Sequence, residues 1–70
     1  KKASAWDNKG ESLRRQGNYV EAVQALNKAI ELDPNHVDAW SNLGEALKSL
    51  GDNSGAAAAF AKAKELGYNA

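Results

Sequence analysis

Hydrophobic residues recur at intervals of three and four positions in four segments of the chain, with polar residues between them. This spacing places the hydrophobic residues on one face of an α-helix. It predicts four helices, near residues 4–16, 19–32, 36–50 and 53–66, and no segment shows the alternating pattern of a strand. The predicted fold class is therefore all-α.

Residues that start and stop helices separate the four segments. The predicted N-terminal caps, whose side chains accept hydrogen bonds from first-turn amides, are Ser4, Asn18, Asn35 and Asp52. The predicted stops are Gly17, Gly51, Gly67 and the pair Asp33-Pro34. Glycine adopts the left-handed conformation that ends a helix, and a residue that precedes proline disfavours helical backbone. These signals predict two helical hairpins joined at Pro34.

The two hairpins are copies of one unit. Identical residues recur 34 positions apart at 14 of 34 positions, whereas ordinary composition gives about two by chance. The copies span residues 3–36 and 37–70. Within them Gly10 and Gly44 recur in helix interiors, where glycine is unfavourable by about 1 kcal/mol relative to alanine. We expect close helix contact to offset this cost, with Gly10 facing Ala22 and Ala29 and with Gly44 facing the equivalent alanines.

The repeated residues resemble the tetratricopeptide repeat, a 34-residue helix-turn-helix with the signature Trp-x-x-Leu-Gly-x-x-Tyr, then Ala-x-x-x-Phe, then Pro. The second copy matches at Trp40, Leu43, Gly44, Ala56 and Phe60, and the first at Trp6, Gly10, Ala22 and Pro34. The copies depart from the signature at Lys9, Leu13, Leu26, Leu47 and Tyr68. The resemblance covers residues 3–70 and implies one domain in which the first helix of each repeat lines a concave groove for peptides or helices of partner proteins.

The two copies differ on the flanks of their helices. The third helix has an apolar flank at Ala39, Leu43, Ala46 and Leu50, where the first helix has Ala5, Lys9, Ser12 and Gln16. Conversely, the second helix has an apolar stripe at Tyr19, Val23 and Ile30, where the fourth has Asn53, Ala57 and Lys64. This pattern predicts that the second copy stacks on the first, and that polar residues cap both ends. We expect a complete two-repeat unit, the alternative being a fragment of a longer array.

The remaining face of each first helix is polar, and the family resemblance makes this face the groove lining. The candidate partner-binding residues are Asp7, Asn8, Glu11, Arg14, Arg15, Asp38, Ser41, Asn42, Glu45 and Lys48. The spacing also predicts Glu11–Arg15 and Glu45–Lys48 ion pairs, so an alternative is that these charges only solvate and support the helices. Similarly, the amides of Asn8 and Asn42 either bind a peptide backbone or form hydrogen bonds between the repeats.

One subgroup of the family, the carboxylate-clamp domains, binds acidic C-terminal tails of chaperones through Lys, Asn and Arg residues on three repeats. Asn42 matches the clamp asparagine of the second repeat, but Asp7 and Glu11 stand where the first repeat needs Lys and Asn. Their negative charge would repel a carboxylate. The resemblance therefore implies a groove that is not a chaperone clamp and that favours a neutral or basic ligand segment.

Composition narrows the function classes further. The formal net charge of zero argues against a nucleic-acid-binding protein, and the lack of Cys with only one His argues against a metal centre or thiol catalysis. We interpret His36 as a solvated or capping residue, and both Trp residues as core. The longest apolar run, residues 56–61, is too short for a membrane span, and no signal peptide follows Lys1 and Lys2.

We therefore expect a non-enzymatic protein-interaction module, without cofactor, metal, nucleic acid or membrane partner and located in the cytoplasm. The alternative is a structural self-association module that forms a homodimer or exchanges a hairpin, because a core this small is barely sufficient for an independent domain.

Overall fold

Four helices form two antiparallel hairpins in a computed structural model that describes residues 2–67. The helices are α1 (Lys2–Arg15), α2 (Tyr19–Leu32), α3 (Val37–Ser49) and α4 (Asn53–Glu65). Each bound lies within two residues of the sequence prediction, and no strand occurs in the described residues. The predicted all-α fold is thus confirmed. Within the same residues, no helix is long and apolar enough to cross a membrane.

Glycines end the first helix of each hairpin as predicted. Gly17 and Gly51 have φ angles of 87° and 86°, in the left-handed region that favours glycine. Next to them the amide of Asn18 donates to the carbonyl oxygen of Leu13 at 2.8 Å, and the amide of Asp52 donates to that of Leu47 at 2.9 Å. These bonds satisfy carbonyl groups that the helix ends leave free, and they turn the chain into the second helix.

The caps follow the prediction in part. The Asp52 side chain accepts a hydrogen bond from the amide of Gly55 at 2.9 Å, so its predicted role is confirmed. Asn18 holds the N-cap position of α2, but its side chain makes no cap bond. The predicted cap at Ser4 is wrong, because α1 already begins at Lys2 and Ser4 therefore lies within the helix.

The third helix is capped by His36 rather than by the predicted Asn35. His36 Nδ1 accepts a hydrogen bond from the amide of Ala39 at 3.2 Å. The cap shifts by one residue because Asn35 belongs to a turn, in which its amide donates to Asp33 Oδ1 at 3.2 Å and the His36 amide donates to the Asp33 carbonyl oxygen at 3.0 Å. Of the two roles that the sequence left open for His36, solvated or capping, the structure shows the capping role.

The helices of each hairpin approach closely at Gly10 and Gly44. A Cβ atom built on Gly10 would lie 2.5 Å from Leu26 Cγ and 3.3 Å from the Ala22 carbonyl oxygen. A Cβ atom on Gly44 would lie 2.8 Å from Phe60 Cε1. Close contact is therefore confirmed, and Ala22 lies opposite Gly10 as predicted, while the nearest side chains are those of Leu26 at Gly10 and Phe60 at Gly44.

The second hairpin stacks on the first through α3, which packs against α2 and contacts α1. The buried cluster contains Ala22 and Leu26 of the first hairpin together with Leu43, Ala46 and Ala59 of the second. The predicted stacking flank of α3 is correct except at Leu50, which is 45% exposed because it lies at the C-cap, past the last helical residue.

The positions that correspond to these stacking flanks in the other repeat lie at the two ends of the stack, and their residues are polar or small. They are all exposed to solvent: Lys9 and Ser12 on α1, Gln16 directly after α1, and Asn53, Ala57 and Lys64 on α4. Because α3 packs against α2 and also contacts α1, the helices α1 and α3 lie side by side and share one open face.

Candidate functional site

A cleft of about 340 Å³ runs along the face that α1 and α3 share. Every residue that lines it is polar, and all six were candidate partner-binding residues in the sequence: Asp7, Asn8, Glu11, Asp38, Ser41 and Asn42. Three come from each helix, so the cleft exists only because the two repeats stack. The structure thus brings together residues that are more than 25 positions apart in the chain.

Asp7 lies at the base of this cleft and joins the two repeats. It is only 6% exposed and is the one buried charged residue in the described part of the chain. Asn42 Nδ2 donates a hydrogen bond to Asp7 Oδ1 at 2.9 Å. Asn42 therefore takes the inter-repeat role that the sequence left open, whereas Asn8 is exposed at the edge of the cleft.

The cleft carries an excess of negative charge. Besides Asp7, its lining includes the carboxylates of Glu11 and Asp38, and it includes no Lys or Arg from the described part of the chain. Arg15 approaches from the α1 side, where its Nη2 contacts Glu11 Oε2 at 2.9 Å, but the Arg15 side chain is 70% exposed. Such a solvated pair only partly offsets the negative potential of the cleft.

The other four candidate residues do not line the cleft. Arg15 forms the predicted ion pair with Glu11. Arg14 is partly buried, and its Nε atom has no hydrogen-bond partner within residues 2–67. Glu45 and Lys48 are exposed, and the predicted pair between them is not among the ion pairs of the described chain, which are Glu11–Arg15, Lys28–Glu31 and Lys62–Glu65.

A second concavity, of about 370 Å³, lies between α1 and α2. Its lining includes Trp6, Leu13 and Ala25, and the ammonium group of Lys9 lies 5.1 Å from the centroid of the Trp6 ring. Sequence reasoning assigned Trp6 to the core and missed this concavity. The sequence does contain one signal for this concavity, which is that Lys9 departs from the repeat signature. The residue at the same position of the second repeat, Leu43, packs into the core.

The chemistry of the cleft suits recognition of a polar group rather than ligation of a metal. In the described residues, no group of three His, Cys, Asp or Glu side chains is arranged to hold a metal ion. What the cleft offers is hydrogen-bond acceptors with negative charge, together with the hydroxyl of Ser41 and the amide of Asn8.

Comparison with known proteins agrees with this architecture. A family model described as TPR repeat matches residues 10–51, and a second, described as tetratricopeptide repeat, matches residues 37–66. No curated protein matches the chain. The first match covers more than half of the 70 residues and spans the junction between the hairpins. The chain belongs to the tetratricopeptide repeat family, a family of helical repeats that generally mediate protein–protein interaction rather than catalysis.

Proposed function

We propose that residues 1–70 form one non-enzymatic interaction module that binds a peptide or helix of a partner protein on the face shared by α1 and α3. The observation that carries this proposal is the cleft itself, in which both repeats supply polar residues and none of them is needed to fill the hydrophobic core. An open polar cleft favours binding over catalysis, because it provides no apolar pocket in which the reactivity of an acid or base is raised.

The charge of the cleft favours a ligand with a basic or neutral segment. Asp7, Glu11 and Asp38 would attract Lys or Arg side chains and repel an acidic tail. The module is therefore not a chaperone clamp in this proposal, although Asn42 matches one clamp position. The surface is small compared with a standard interface, so we expect a dissociation constant on the order of micromolar or weaker.

Titration of three matched peptides tests the proposal. The peptides share one scaffold and carry Lys, Gln or Glu at the variable positions, and fluorescence anisotropy measures their affinity for the protein. We expect the order Lys, then Gln, then Glu, and we expect the differences to shrink as salt is added, since exposed charges are screened.

Two variants with equal changes in net charge locate the binding. Glu11→Gln with Asp38→Asn neutralises two carboxylates of the cleft, and Glu31→Gln with Glu65→Gln neutralises two exposed carboxylates outside it. The first variant should lose the preference for the Lys peptide, and the second should retain it. Equal affinity for the three peptides, or equal loss in both variants, would contradict the proposal.

A second candidate function is self-association. Val20 and Leu50 are large hydrophobic residues with exposures of 59% and 45%. α2 begins near the level where its antiparallel neighbour α3 ends, so these residues lie toward the same end of the stack. A mass that rises with concentration in light scattering, and that returns to the monomer in Val20→Lys, would favour this function.

A further inference from the structure

Asp7 is a largely buried carboxylate that has no cationic partner among the described residues. It is only 6% exposed, and no Lys, Arg or His nitrogen within residues 2–67 lies within 4.0 Å of its oxygens. The one hydrogen bond that it accepts from the described residues comes from the neutral amide of Asn42. Burial of a charge is unfavourable unless the charge is paired, so Asp7 is a departure from the usual pattern of a protein interior.

The carboxylate is also directed toward the cleft rather than toward the core. Asp7 lines the cleft, and Asn42 occupies Oδ1, which leaves Oδ2 with no hydrogen bond from the described residues. An ionised carboxylate has about four sites at which it accepts hydrogen bonds. The bond from Asn42 therefore fixes the orientation of the carboxylate and leaves most of its capacity unused.

The surroundings point to a cation as the missing partner. Glu11 and Asp38 add negative charge to the same cleft, and none of the residues 2–67 that line it has the opposite charge. Arg15, whose side chain is 70% exposed, pairs with Glu11 and not with Asp7. Among the described residues, these carboxylates belong to no group of three that could hold a metal ion. An organic cation with several N–H donors suits the arrangement better.

We infer that the cleft is a receptor for one cationic side chain, a Lys or Arg of the partner, whose head group donates hydrogen bonds to Asp7 while Asn42 holds that carboxylate in place. This inference rests on the proposed function and deepens it, because it assigns the specificity of the groove to a single buried charge. Glu11 and Asp38 then attract the ligand from the rim, and Asp7 binds it.

The inference predicts opposite effects of one substitution on stability and on binding. Asp7→Asn keeps the size of the side chain and an oxygen that accepts the bond from Asn42, but it removes the buried charge. Stability should therefore stay the same or rise, because a buried charge without a cationic partner is lost. Binding of a cation should weaken. A residue that only joined the repeats would show no such loss of binding.

Small matched probes test this directly. N-acetyl-arginine amide, N-acetyl-lysine amide with a free side-chain amine, and N-acetyl-citrulline amide are titrated while NMR follows the side-chain amide of Asn42. Citrulline is a neutral near-isostere of arginine. We expect saturable shifts with the arginine and lysine probes, and affinity lower by roughly tenfold for citrulline, since a hydrogen bond to a charged group becomes a neutral one.

The variants Asp7→Asn and Glu31→Gln serve as test and control, because each removes one negative charge and Glu31 is outside the cleft. Asp7→Asn should reduce affinity for the cationic probes by roughly tenfold without lowering the melting temperature, and Glu31→Gln should leave it within about twofold. Equal binding of citrulline and arginine, or unchanged binding in Asp7→Asn, would overturn the inference.

The failure of this inference and of the proposed function are distinguishable. If the Lys peptide binds better than the Glu peptide and Asp7→Asn does not alter that preference, the groove binds partners but Asp7 is not the receptor. If the arginine probe binds at Asp7 while no peptide of the matched series binds, the cation site stands and the proposed peptide groove is wrong.

Discussion

Replacement of Gly10 by alanine adds a single methyl group at the closest approach of α1 and α2. The new Cβ would lie 2.5 Å from Leu26 Cγ, 2.7 Å from Leu26 Cδ2 and 3.3 Å from the backbone oxygen of Ala22. Real Cβ atoms do not occur at the first two distances, so Leu26 must move. Leu26 is fully buried, with 0% exposure, and packs in the cluster that joins the repeats. It therefore has no open space into which it can shift.

Two opposing effects set the magnitude. Alanine is favoured over glycine in a helix interior by about 1 kcal/mol. Overpacking of a buried site is unfavourable by about 1–3 kcal/mol, and the immobility of Leu26 places Gly10 in the upper part of that range. We therefore expect Gly10→Ala to lower the free energy of unfolding by about 1–2 kcal/mol. At Gly44 the obstructing Phe60 ring is only partly buried, so the loss there should be smaller.

Urea denaturation followed by tryptophan fluorescence and far-UV circular dichroism measures this difference. Ser12→Ala, on the exposed side of the same helix, is the matched control and should not destabilise the protein. A second comparison uses Leu26→Ala as the background, with an osmolyte to keep the variants folded. There the obstruction is absent, and Gly10→Ala should stabilise by about 0.5–1 kcal/mol, which reverses its sign. Stabilisation by Gly10→Ala in the unmodified protein would refute the close contact.

Three further predictions concern the N-terminal cap of α3, the two ends of the stack, and the hydrogen bond between the two repeats. His36→Ala should lower the free energy of unfolding by about 1 kcal/mol in thermal melts, because α3 loses its side-chain cap, and His36→Asp should restore it. Lys9→Leu with Lys64→Ile should produce end-to-end association in sedimentation, since the pair makes both exposed ends apolar; an unchanged monomer would contradict the capping role. Asn42→Ala should destabilise by about 1–3 kcal/mol in urea titrations because Asp7 loses its hydrogen bond, and adding Asp7→Asn should recover part of the loss.

Sequence periodicity was sufficient to predict the hairpins and the face on which they stack. The 34-residue repeat identified equivalent positions, and the contrast between Lys9 and Leu43 showed which copy has a neighbour on that flank. Such differences indicate burial, because the two copies share one helical pattern, and a flank that is apolar in only one copy is typical of a flank that another helix covers. Helix stops were predictable at Gly17 and Gly51 for a similar reason, since few other residues adopt positive φ.

What the sequence did not reveal depends on the geometry between elements. The cap of α3 moved from Asn35 to His36 because the Asp33-Pro34 turn uses the Asn35 amide, a detail that cap preferences alone do not contain. The burial of Asp7 likewise depends on how closely α1 and α3 approach each other. Asp7 and Asn42 are 35 positions apart, one more than the repeat length, so the alignment of equivalent residues did not pair them.

The central claim is that the face shared by α1 and α3 binds partner segments with a basic residue. The most direct measurement is a titration of the isotopically labelled protein with the Lys and Glu peptides, mapping amide shifts by two-dimensional NMR. We expect the Lys peptide to perturb the residues of the cleft, Asp7, Asn8, Glu11, Asp38, Ser41 and Asn42, with little change on the outer faces of α2 and α4. Perturbations centred on α2 or α4, or the same shifts at the same concentrations of the Glu peptide, would contradict it.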